Sequence, residues 1–62
     1  MKFVYNSSSK AMLAQEALKA SGVPVIVTQR MGKGITLVYW LEVNDKDEAA
    51  ARKVLIERGL LG

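Results

Sequence analysis

The sequence predicts an α+β domain of order β-α-β-β-α, and three observations predict it. Apolar residues recur at three- and four-residue spacing in two stretches, one over residues 10–21 and one after Asp45, and a glycine ends each, Gly22 and Gly59. Runs rich in β-branched and aromatic residues fill 2–6, 23–30 and 35–43. The short stretch Met31-Gly32-Lys33-Gly34 separates the last two runs, which therefore form a hairpin, whereas a whole helix separates the first two.

The first strand carries Phe3, Val4 and Tyr5. Ser7-Ser8-Ser9 interrupts it and offers hydroxyls that accept from the free N–H groups of a helix start. In the helix over 10–21, Ala11, Ala14, Ala17 and Leu18 form the inward stripe, with Met12, Gln15, Glu16 and Lys19 on the other side. Gly22 fits a left-handed cap, and Pro24 follows where a helix could not continue. The strand over 23–30 is rich in valine, and the one over 35–43 is the most apolar segment of the chain. Asp45-Lys46-Asp47-Glu48 has the spacing of a capping box with Asp45 as the cap, and Asn44 is the alternative cap. Glu48 and Arg52 stand one turn apart as an ion pair, Ala50, Ala51, Val54 and Leu55 face inward, and Leu60-Leu61 folds back on the core.

A right-handed crossover makes the first two strands parallel. The third fills the gap between them and runs against both. The result is a three-stranded mixed sheet in order 1-3-2 with two helices on one face, a truncated ferredoxin-like fold without its fourth strand.

Composition narrows the function. Sixty-two residues make one domain. With no Cys there is no disulfide, thiolate metal site or thiol nucleophile, and with no His there is no Ser-His triad or imidazole ligand. A domain of this size buries only about 60% of its unfolded surface and commonly needs a staple, a metal or a partner subunit. The first two lack candidates, so a partner gains weight. Apolar runs fall far short of the roughly 20 residues of a membrane span, and the opening residues lack a secretory pattern, so the cytoplasm is the expected location.

Strand alternation points to an interaction surface. On the third strand, Ile35, Leu37, Tyr39, Leu41 and Val43 face the helices, and Thr36, Val38, Trp40 and Glu42 face away. The second strand adds either Val25 and Val27 or Ile26 and Thr28 to that open face, and the first adds Val4 or the Phe3–Tyr5 pair. An apolar sheet face left open by its own chain marks a binding site; the alternative is a Trp40 that simply lies half-exposed beside Arg and Lys stems, as scattered surface aromatics do. The expected partner-binding residues are Val38 and Trp40 on the face, with Arg30 and Lys33 at the hairpin tip. The expected partner is a second copy or another protein. The chain's charge of +3 and the basic tip also admit a small nucleic-acid-binding protein as the alternative. Ser7, Ser8, Ser9 and Lys10 form a weaker candidate anion site at a helix start, without the glycines of a P-loop. The carboxylates Asp45, Asp47 and Glu48 are accounted for by capping. No catalytic, metal or cofactor constellation is read, so a non-enzymatic protein is expected.

The run Ala11-Met12-Leu13-Ala14-Gln15-Glu16-Ala17-Leu18-Lys19-Ala20-Ser21-Gly22-Val23-Pro24-Val25, with the closing Val43-Asn44-Asp45, Ala50 and Val54-Leu55, resembles two small bacterial families. One is the prokaryotic signal-transducing protein family, related in fold to the nitrogen regulatory PII proteins. The other is the selenium/sulfur carrier-like family. The first resemblance implies a regulatory interaction module with no catalytic residues to carry over. The second implies a reactive Cys before the last strand, where this chain has Gly32-Lys33-Gly34, so carrier chemistry does not transfer.

Overall fold

The chain runs β1 (Lys2–Tyr5), α1 (Ser8–Ala20), β2 (Ile26–Met31), β3 (Leu37–Glu42), a 3-10 turn (Asp45–Asp47) and α2 (Glu48–Glu57) in a computed structural model that describes residues 1–32, 34 and 36–61. This is the predicted order. The sheet order is β1-β3-β2, also as predicted, and both neighbouring pairs are antiparallel. The outer strands thus run the same way, and among the described residues no hydrogen-bonded pair is parallel. The architecture is α+β and consistent with a ferredoxin-like fold lacking its fourth strand.

The core lies between the sheet and both helices. Phe3 and Tyr5 of β1 and Leu41 of β3 pack with Ala11, Ala14 and Leu18 of α1 and with Ala51 and Leu55 of α2. Leu18, Leu41 and Leu55 are its largest fully buried side chains. Alanines at the contact stripe let α1 lie close to the strands. The five-residue helix-facing set of β3 needs a correction at its far end: Leu41 and Val43 are buried and Tyr39 is half-buried, but Leu37 is exposed. The helices cover the Leu41 end of the sheet and leave its Leu37 end open. Ile35 and Lys33 lie outside the described residues.

Both helices stop by the same device. Gly22 has φ +78°, its N–H donates to the Lys19 carbonyl at 3.0 Å, and the Val23 N–H donates to the Leu18 carbonyl at 2.9 Å. Gly59 has φ +70°, with Gly59 donating to Ile56 at 3.0 Å and Leu60 to Leu55 at 2.8 Å. Each is a Schellman closure, in which only a glycine takes the left-handed position without strain.

Three of the boundaries that differ from expectation have a visible local cause. Helix α1 begins at Ser8, earlier than residue 10, because Ser7 caps it and accepts from the Lys10 N–H at 3.3 Å. Strand β2 begins at Ile26, not at 23, because the Val23 N–H is spent on closing α1 and Pro24 has no N–H to donate. The capping box at Asp45 does not form. A 3-10 turn precedes α2, neither Asn44 nor Asp47 makes a side-chain cap bond, and the Asp45 carboxylate is instead held by the Met1 ammonium at 3.2 Å. The Glu48–Arg52 pair is present at 3.0 Å.

Candidate functional site

The strand register settles which residues share the face away from the helices. Phe3 and Tyr5 are buried on the helix side, so Lys2 and Val4 point to the open side. Val4 stands opposite Trp40, and Thr28 stands opposite Trp40 from the other strand. Lys2 and Ile26 flank Glu42, and Arg30 flanks Val38. The open face therefore carries Val4 rather than the Phe3–Tyr5 pair, and Ile26 with Thr28 rather than Val25 with Val27. Val4 is 58% and Ile26 67% exposed, while Val38 and Trp40 are half-buried.

Trp40 sits at the centre of this face and is not bare. The Lys2 ammonium lies 4.1 Å from the ring centroid, reaching in from β1, and the Arg30 guanidinium lies 4.7 Å away, reaching in from β2. Both are within cation–π range, each worth about 0.5–1 kcal/mol at an exposed site. The surface is thus an aromatic plate with two cations against it, bordered by exposed aliphatic side chains and by the Glu42 carboxylate. Of the predicted interaction residues, Val38, Trp40 and Arg30 meet here. Lys2 went unnoticed in the sequence; its signal was the diagonal relation to Trp40, which requires knowing that Val4 pairs with Trp40.

The residues of the candidate anion site all sit at the start of α1. The Ser7 hydroxyl is used as the cap of α1, and Ser8, Ser9 and Lys10 are exposed on its first turn. Nearby, Phe3, Val4, Tyr5, Asn6, Ser7, Lys10, Leu60 and Leu61 line a cleft of about 340 Å³ along the outer side of β1. The buried Tyr5 hydroxyl has no hydrogen-bond partner among the described residues, and burial pushes its phenol above the usual value. Among the described residues no group of His, Cys, Asp or Glu is arranged to hold a metal ion, and no helix is long and apolar enough to cross a membrane.

No family model matches the chain, nor does any curated protein or solved structure.

Proposed function

We propose that the protein is a small non-enzymatic interaction module that works through the open face of its sheet, as a homodimer or on a partner protein. The observation that carries this is the exposure of Val4 and Ile26 around Trp40 on a face that neither helix covers. The charges support self-association. Glu42 lies toward one end of the face and Arg30 toward the other, with Trp40 between them. A twofold axis crossing the strands at Trp40 places Glu42 of each copy beside Arg30 of the other, and a twofold interface is the commonest kind. The resemblance to signal-transducing proteins gives the module a regulatory role in the same scheme. Light scattering of the wild type and Trp40→Ala over a range of concentrations tests it. The expected result is a wild-type mass rising toward twice 6.8 kDa while the variant stays at 6.8 kDa. A wild type that stays at that mass, and whose capture of partners is unaffected by Trp40→Ala, overturns it.

The cations at Trp40 favour one second reading, a nucleic-acid-binding protein in which a base stacks on the indole and Lys2 and Arg30 meet phosphates. A salt titration separates the two, because phosphate contacts make log affinity fall steeply with log salt. Absence of binding to single-stranded DNA or RNA at low salt removes this reading.

A further inference from the structure

The outer side of β1 is an open sheet edge with a defined hydrogen-bonding pattern. Met1 and Val43 exchange both backbone bonds, at 3.1 and 2.9 Å. Antiparallel ladders alternate, so Phe3 and Tyr5 take the inward bonds to Leu41 and Tyr39, and the N–H and C=O groups of Lys2 and Val4 point outward. Among the described residues no hydrogen bond reaches those outward groups.

This edge is walled. Leu60 and Leu61 run beside it and close the cleft that Tyr5 also lines. Helix α2 reaches over β1, with the Arg52 guanidinium 5.9 Å from the Phe3 ring. The charge left around the edge is positive. Lys10 and the amino end of α1 stand at one end of the cleft, and the exposed Lys2 side chain, its ammonium lying over Trp40, starts from the other end of the strand, while Asp45 is held by the Met1 ammonium and Glu48 by Arg52.

We propose that β1 accepts an added strand: an extended peptide segment of another protein, apolar at alternate positions and acidic between them, running antiparallel to β1. Backbone bonds to Lys2 and Val4 supply affinity, as in other cases of strand addition. The apolar side chains enter the cleft against Leu60 and Leu61, and the acidic ones fall on the open side beside Lys2. A second copy would bring its own Lys2 and Lys10 to this edge, like charge against like, which disfavours it in this position. This site shares Lys2 and Val4 with the Trp40 face, where the Lys2 ammonium lies 4.1 Å from the ring centroid, but it does not rest on that face being an interface.

The test uses the isotope-labelled protein and a short, end-capped synthetic peptide alternating Leu and Glu. At saturation, amide exchange at Lys2 and Val4 slows by about tenfold or more, as for newly bonded edge amides. A peptide N-methylated at the amides that face β1 gives no slowing, and one with Lys in place of Glu binds more weakly. Val4→Pro removes an outward donor while sparing the ladder to β3, and proline is tolerated on edge strands; it abolishes the effect. The N-methylated peptide keeps the test independent of whether that variant folds. Three results overturn the proposal: no slowing at Lys2 and Val4, slowing at the outer edge of β2 instead, or slowing that appears without peptide as the mass doubles, which makes a second copy the occupant. Trp40→Ala leaves peptide binding intact, so failure here and failure of the open-face reading are distinguishable.

Discussion

The two faces of the sheet come from the same strands and are one residue out of phase, yet they do opposite work. On the helix side Phe3, Tyr5, Leu41 and Val43 are at most 7% exposed and lock both helices to the sheet. On the other side Val4 and Ile26 lie open around an indole that meets two cations. Alternation alone separates them. The first face is filled by alanine and leucine from the chain itself; the second is covered by neither helix. A core of this size leaves little margin, because small domains carry only a few kcal/mol of net stability.

That contrast can be broken most forcefully from the helix side. Leu41→Ala empties a fully buried position beneath α1 and should destabilise by about 2–5 kcal/mol, leaving a domain this small largely unfolded in a urea melt followed by circular dichroism. Trp40→Ala, one residue earlier on the same strand, should cost less, with two exposed cation–π contacts accounting for about 1–2 kcal/mol and the packing of a half-buried ring adding to it, while removing association. Equal losses at Leu41 and Trp40 would erase the distinction between the faces. Tyr5→Phe sharpens it with the opposite sign. The ring keeps its packing and the orphan hydroxyl is removed, so stability should rise by about 1 kcal/mol. The same group gives a pH dependence. The folded phenol titrates above the ordinary 10.0, so it leaves stability unchanged below that pH, and stability falls as pH rises from there through the folded value. Tyr5→Phe should flatten this part of the profile. The smallest effect is expected at Arg52→Gln, where loss of the half-exposed pair with Glu48 should cost a few tenths of a kcal/mol and fade with salt.

Much of the fold was legible because its signals are local. Gly22 and Gly59 closed their helices as read, and the alanine stripe of α1 turned inward as read. The strand order followed from the handedness of one crossover and the shortness of one hairpin. The failures were contests between local chemistry and distant partners. Asp45 had the spacing of a cap, but the Met1 ammonium, 44 positions away in the chain, claimed its carboxylate. Residues 23–25 had strand-like composition, but closing α1 consumed the Val23 N–H. The choice between Val4 and the Phe3–Tyr5 pair was open in the sequence because both sets are apolar, and only the register with β3 decided it. Lys2 belongs to the same class: nothing near it in the sequence places it against Trp40.

The single tryptophan makes the central claim directly observable. Indole emission and its quenching by a soluble quencher report the surroundings of Trp40 alone, and they can be followed as protein concentration rises. Emission that moves to shorter wavelength and quenching that weakens, in step with a doubling of mass, are the predicted result. An indole equally quenched at every concentration while the mass does double would place the contact elsewhere and contradict the assignment of the open face.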